Sequence, residues 1–284
     1  MTVPVPVLDR GCDTHVHIIG DPDRYPKVAG RRYTPGPALP NHLLAHLGRV
    51  GLTRAVLIQP SVYGTDNTCL LDALASLQET ARAVVVVGQD VSASELIDLD
   101  KAGARGIRLN LESEGAREGD RLRQELSHWA PRLVDLGWHM QVYASQATVA
   151  ACADLLQQLP VPCVLDHVAM WQDAACASPE AVALLRAFET GNIYIKLSAS
   201  YRVPLTESQL QGVVDRLVGI RPDRLLWASD WPHTSRLAGT PASVVSPYRD
   251  IAATALVTER SRWLPNVNAM RQVCIDNAAR LYRF

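Results

Sequence analysis

The chain has 284 residues, 48% hydrophobic and 20% charged, with a formal net charge of -1. That composition suits a soluble globular enzyme with a substantial core, and one α/β barrel of about 250 residues already accounts for the length. Near-neutral charge excludes the broad basic field that nucleic acid or an anionic membrane would need. Six scattered cysteines without a C-x-x-C pair argue against a zinc ribbon or redox motif and fit a reducing cytoplasm. The first residues, Met-Thr-Val-Pro-Val-Pro, carry no charged n-region or apolar h-region, and no stretch reaches the roughly 20 apolar residues of a membrane span.

The first strand is expected at 12–17, Cys-Asp-Thr-His-Val-His. Side chains alternate across a strand, so His15 and His17 leave it on the same side and can share a metal ion or polarise one carbonyl. The segment 20–40, dense in Gly, Pro, Asp and Arg, reads as an irregular loop that brings Arg31-Arg32-Tyr33 towards a ligand. A helix follows over 41–49. Further strands are expected at 55–59, 84–88, 106–111, 139–143, 163–167, 193–198 and 225–230. Helices are expected between them at 67–80, 92–102, 121–136, 148–159, 179–190 and 207–218, with a last amphipathic stretch at 268–282.

Eight strand-type runs alternating with helices predict an α/β fold, a (β/α)8 barrel in a single domain spanning 1–284. A doubly wound open sheet is the alternative, but no G-x-G-x-x-G follows the first strand.

In such barrels the active site lies at the C-terminal ends of the strands. Those ends offer His15 and His17, then Ser61 and Tyr63, Arg108 and Asn110, Tyr143, His167, Ser198 with Arg202 after it, and Asp230. Each has a structural alternative: an arginine paired with a core carboxylate, a tyrosine packed at the rim, a satisfied core histidine, a turn-forming aspartate. The stretch Trp227-Ala228-Ser229-Asp230-Trp231-Pro232-His233 places a carboxylate where an apolar strand opens into a turn, able to take a proton from water or to ligate a metal.

Asp13-Thr14-His15-Val16-His17, Val164-Leu165-Asp166-His167 and Ala228-Ser229-Asp230-Trp231-Pro232-His233 together resemble the amidohydrolase superfamily in its amidohydrolase-2 branch. The likeness is greatest to the 2-pyrone-4,6-dicarboxylate lactonase group and the related sulfomuconolactone and sugar-lactone hydrolases. It extends through Arg32-Tyr33-Thr34-Pro35, Gly64-Thr65-Asp66-Asn67, Gly106-Ile107-Arg108-Leu109-Asn110, Gly137-Trp138-His139 and Lys196-Leu197-Ser198. The resemblance implies a distorted barrel of amidohydrolase type that opens a small lactone. Asp230 would activate water, and His15, His17 and His167 would polarise the carbonyl. Tyr33, Ser61, Tyr63, Arg108, Tyr143, Arg202 and His233 would hold the substrate. A guanidinium suits a carboxylate or sulfonate because its planar fork binds in a bidentate manner.

Two departures narrow the substrate. The pyrone-dicarboxylate lactonases carry extra arginines after the fourth and sixth strands, where this chain has Glu114 and Met170. A lactone with one acidic group, or a neutral sugar lactone, is therefore expected. Metal-dependent members add a His or Lys from the fourth or fifth strand, where this chain has Arg108 and Tyr143. A metal-free mechanism is preferred on that ground; a single zinc would be held by His15, His17 and Asp230, with His167 as a fourth candidate. His139 opens the fifth strand and is expected far from the site. A zinc-dependent decarboxylase or hydratase of a muconate-like acid, a lactone isomerase and a non-catalytic binding barrel remain alternatives. The expected partner is a small-molecule lactone in the cytoplasm, with self-association into a homo-oligomer left open.

Overall fold

The structure, a computed structural model, describes residues 5–111, 118–236 and 239–284. Glu114, singled out above, and the first four residues lie outside the described residues. Eight parallel strands follow one another along the chain: β1 Cys12–Val16, β2 Arg54–Ile58, β3 Ala81–Val85, β4 Ala104–Asn110, β5 His139–Tyr143, β6 Cys163–Leu165, β7 Ile193–Leu197 and β8 Leu225–Trp227. Their buried, β-branched runs are what strands covered on both faces require. Parallel neighbours also need crossovers, which the intervening helices supply.

Two compact units result: Met1–Ala104 with Ala228–Arg262 and Phe284, and Arg105–Trp227 with Trp263–Arg283. In the first, β1 pairs with β2 and β2 with β3. Helix α1, Pro40–Val50, starts on a proline and stops at Gly51, whose φ of +70° suits a residue without a side chain. The loop 20–40 is tied down by a two-residue parallel pairing of Thr34–Pro35 with Val245–Ser246. In the second unit β5 pairs with β4 and β6, and β7 with β6 and β8. Gly106 lies opposite His139, and a Cβ there would stand 2.5 Å from the imidazole. The buried ring stands edge-on to Tyr282, 5.1 Å between centroids. Burial, with the Lys196 charge adding to it, lowers the His139 pKa to about 3.

Several boundaries differ from expectation for identifiable reasons. β3 ends at Val85 rather than running to residue 88, because the Asn67 amide takes over the backbone of Val86. Its Oδ1 accepts from Val86 N–H at 3.1 Å and its Nδ2 donates to Val86 O at 2.8 Å. β3 also begins earlier, at Ala81, since Arg82 is accommodated with its guanidinium over the Phe284 ring at 4.8 Å. The helix expected over 148–159 is two short ones, Gln146–Ala150 and Ala153–Leu156, broken at Cys152. A further helix, Ala253–Trp263, was not expected; its Arg260 is buried and donates to Val50 O at 2.9 Å. The last stretch is helical from Val267 to Tyr282 with a π turn over Gln272–Asp276. All six cysteines are buried and none is in a disulfide, and no helix among the described residues is long and apolar enough to cross a membrane.

Candidate active site

In the first unit, β1 and the turn after β8 assemble a buried His–His–Asp group. The pairing register of β1 shifts between Asp13 and Val16, an irregularity of the kind that re-aims side chains near active sites. His15 and His17 do project to one side, with rings perpendicular at 85° and Nε2 atoms 3.2 Å apart. Asp230 Oδ1 stands 3.7 Å from His15 Nε2 and 3.8 Å from His17 Nε2.

The aspartate reaches them from an unusual backbone. Asp230 has φ +62° and His233 φ +66°, and the Trp231–Pro232 peptide between them is cis. Left-handed φ at a residue with a Cβ is costly and needs surrounding structure to hold it. Here Asp230 N–H donates to His15 O, His17 N–H to Trp231 O, and His233 N–H to Asp230 O. Behind the turn, Asp13 Oδ1 accepts from Ser229 N–H at 2.9 Å and His15 N–H at 3.3 Å, while Ser229 Oγ accepts from Trp231 N–H. His46 of α1 completes this layer, its Nε2 3.2 Å from Ser229 Oγ and 3.5 Å from Asp13 Oδ2.

His17 is oriented by Nδ1, 2.7 Å from Ile58 O. A carbonyl only accepts, so Nδ1 carries the proton and Nε2 offers a lone pair. The three facing atoms, 3.2, 3.7 and 3.8 Å apart, lie on a circle of radius about 2.1 Å, the length of a zinc–nitrogen or zinc–oxygen bond. The carbonyl behind His17 is the kind of outer partner that metal-bound imidazoles have. The group therefore fits a single metal ion.

Of the other expected residues in this unit, Tyr63 is buried and its hydroxyl accepts from Gly20 N–H at 3.1 Å; burial pushes its pKa well above the ordinary value. Ser61 is exposed and Tyr33 half-buried. His233 stands edge-on to His46, 6.2 Å between centroids.

The second unit gathers Arg108, Tyr143 and His167. The Arg108 guanidinium lies 5.8 Å from the Tyr143 ring centre, and Tyr143 meets His167 edge-on at 5.1 Å. His167 Nδ1 is 3.0 Å from Ser198 Oγ. Arg108 does also face a core carboxylate: its Nη2 is 3.7 Å from Asp166 Oδ2. Asp166 is shared with Lys196 at 3.4 Å and Gln141 at 3.1 Å, and Lys196 donates to Gln141 at 2.8 Å. All of these side chains are buried or nearly so. Arg202 lies on a short 3₁₀ turn, over the Tyr201 ring.

From His167 to Met170 four consecutive residues have φ between +50° and +53°, a left-handed turn built without glycine. Each such residue costs about 1–2 kcal/mol. The sequence gives no sign of this turn, and Met170 is buried within it. Gln141 and His46 were likewise not singled out by sequence, and Lys196 entered only within the Lys196-Leu197-Ser198 segment of the resemblance. An ionisable or amide side chain in the middle of an apolar run was the signal available for Gln141 and Lys196.

Eight parallel strands alternating with helices, with His-x-His on the first and an aspartate after the last, define an α/β fold of (β/α)8 amidohydrolase type. The chain belongs to the amidohydrolase family, whose model matches residues 12–284. It is 29% identical over 283 residues to the 2-pyrone-4,6-dicarboxylate hydrolase of Comamonas testosteroni, covering 95% of this chain and 89% of that one. To the 4-sulfomuconolactone hydrolase of Hydrogenophaga intermedia it is 27% identical, covering 95% and 88%. Among solved structures, a Pseudomonas putida protein described as a 2-pyrone-4,6-dicarboxylic acid hydrolase superposes with TM-score 0.79 at 26% identity, covering 96% and 97%.

Proposed function

We propose that the protein is a carboxylic ester hydrolase that opens a small lactone bearing one acidic group. The observation that carries this reading is the His15–His17–Asp230 group, a buried carboxylate facing two imidazole nitrogens. The family relationship to two lactone hydrolases supports the same reaction class, and the family match running through 12–284 supports reading the chain as one domain.

Asp230 accepts a proton from water as the water oxygen attacks the lactone carbonyl. Charge then develops on the carbonyl oxygen, where an imidazole N–H that is already in place contributes a few kcal/mol to lowering the barrier. Collapse breaks the ring C–O bond, and the proton held by Asp230 passes to the departing oxygen, leaving a hydroxy acid. His167 is assigned a carbonyl contact, and Arg108, Tyr143, Arg202, Tyr33, Ser61 and Tyr63 substrate contacts, on the resemblance given above. Met170 in place of an arginine supports a singly charged substrate. A metal ion, when bound, would be held by His15, His17 and Asp230 and would polarise the carbonyl or acidify water. Arg108 and Tyr143 stand where metal-dependent members place another ligand, which favours catalysis by protein groups alone.

The test is acid release by purified protein across acidic and neutral lactones, with and without chelator. Turnover of a monoacidic lactone supports the proposal; silence across the panel overturns it.

A further inference from the structure

Two histidines at strand ends meet different partners through the same ring atom. His17 Nδ1 lies 2.7 Å from a backbone carbonyl, that of Ile58, while His167 Nδ1 lies 3.0 Å from a hydroxyl, that of Ser198. A carbonyl only accepts, so it draws the ring proton onto Nδ1. A hydroxyl can donate or accept, and burial decides which it does here.

Ser198 follows directly on β7 and is 0% exposed, and His167 is 1% exposed. Among the described residues the Ser198 hydroxyl has one hydrogen-bond partner, His167 Nδ1. With the ring proton on Nδ1, the hydroxyl would accept, and its own O–H would be left without an acceptor away from water. A buried donor left unmade carries the full desolvation cost, whereas a spare oxygen lone pair is better tolerated. The hydroxyl therefore donates to a bare Nδ1, and the proton of the neutral imidazole sits on Nε2. The backbone on both sides holds the pair in place. His167 has φ +53° and opens the left-handed turn. Ala199, next after Ser198, has φ +49° and leads into the 3₁₀ turn Ser200–Arg202, where Arg202 N–H donates to Ala199 O at 2.8 Å. The Tyr143 ring, edge-on at 5.1 Å, packs against the imidazole.

We propose that Ser198 is a positioning residue that keeps His167 in the Nε2–H form, and so selects it as a hydrogen-bond donor to the lactone carbonyl and not as a metal ligand. The carbonyl contact rests on the function proposed above, whereas the tautomer follows from burial. A donor is what the charge developing on a carbonyl oxygen needs. A metal needs a bare ring nitrogen, which His17 offers and His167 does not. The group behind each ring thus sorts the two roles: a carbonyl behind His17, a hydroxyl behind His167.

Nitrogen NMR of histidine-labelled full-length protein, freed of metal by chelator, reads both ring nitrogens at about pH 8, above the ordinary imidazole range. His167→Gln assigns the signals. The expected spectrum has His167 Nε2 protonated and Nδ1 in the range of a hydrogen-bonded acceptor, moving to that of a bare nitrogen in Ser198→Ala. Stoichiometric zinc is expected to shift His15 and His17 and to leave the His167 nitrogens where they are. On a monoacidic lactone, Ser198→Ala should lower kcat about tenfold, the weight of one neutral hydrogen bond, with KM little changed. A proton on His167 Nδ1 in the parent overturns the proposal, as does zinc ligation by His167; neither reading depends on the variant folding. So do an Nδ1 signal that Ser198→Ala leaves unmoved and a kcat that it does not lower. A parent protein that opens no lactone overturns the function proposed above, while the spectra still decide the tautomer that Ser198 imposes.

Discussion

His17 donates its Nδ1–H to the carbonyl of Ile58 and thereby turns a bare Nε2 towards His15, 3.2 Å away. That single bond sets the electronics of the group. Between the two Nε2 atoms there is room for one positive centre, either the proton of His15 donating to His17 or an ion at the centre of the His15–His17–Asp230 triangle. Asp230 Oδ1 faces both nitrogens at nearly equal distance, beside the place where a substrate carbonyl would be polarised.

Replacing Asp230 with Asn keeps the shape of the turn and removes the proton acceptor. The backbone bonds that hold the left-handed φ do not involve the carboxylate. Turnover should fall by about 10²–10⁴-fold, the usual contribution of a positioned general base, while the thermal midpoint stays close to the parent's. Steady-state kinetics on a monoacidic lactone, with a melting curve in parallel, checks both halves. A variant that hydrolyses at the parent rate removes Asp230 from the chemistry.

Ion binding and ion requirement are separate questions. The triangle fits one zinc, so equilibrium dialysis is expected to find up to one equivalent bound to the parent protein and much less to His17→Ala. Catalysis by protein groups predicts that most of the hydrolysis survives dialysis against a chelator. Activity lost on chelation and restored by zinc would make His15, His17 and Asp230 metal ligands first and carbonyl partners second.

Much of this architecture is legible in the residues. The eight strands follow from continuous apolar runs buried on both faces, the shared side of His15 and His17 from period-two alternation, and the aspartate after β8 from a carboxylate placed at a strand end. What was not legible depends on long-range partners. β3 stops where it does because Asn67, fourteen residues before the strand starts at Ala81, captures the backbone of Val86. Helix Ala253–Trp263 has an arginine on its buried side, so its apolar stripe is interrupted, and the Val50 carbonyl, distant in sequence, is among the partners that let Arg260 be there. The left-handed turn His167–Met170 contains Val and Ala, residues that by themselves prefer the opposite sign of φ, so no local rule announces it.

Arg108 tests substrate charge. Its neighbour Asp166 is also held by Lys196 and Gln141, so Arg108→Met leaves that carboxylate partnered and the fold intact. KM for an acidic lactone should rise about 10–100-fold, as expected for loss of a charge-assisted contact, and KM for a neutral lactone should change little. Comparing the two substrates on one preparation is the measurement. Equal effects on both would make Arg108 a structural partner of Asp166.

His139 offers a prediction about stability that is independent of catalysis. Its imidazole is buried against the backbone at Gly106, and its pKa falls from the ordinary 6.5 to about 3 because burial disfavours the charged ring. In the unfolded chain the same ring titrates near 6.5. Between these two values the unfolded state binds the extra proton, so this contribution to stability is complete above 6.5 and is lost progressively as the pH falls towards 3. The slope approaches about 1.4 kcal/mol per pH unit within that window. His139→Gln removes the titrating group. The variant starts less stable at neutral pH, because the edge-on contact with Tyr282 is gone, but its stability should decline less steeply in acid. Urea unfolding of both proteins at a series of pH values from about 7 to 4 reads the difference directly. Parallel curves would show that His139 is able to protonate in the folded state, by local opening of β5 against β4.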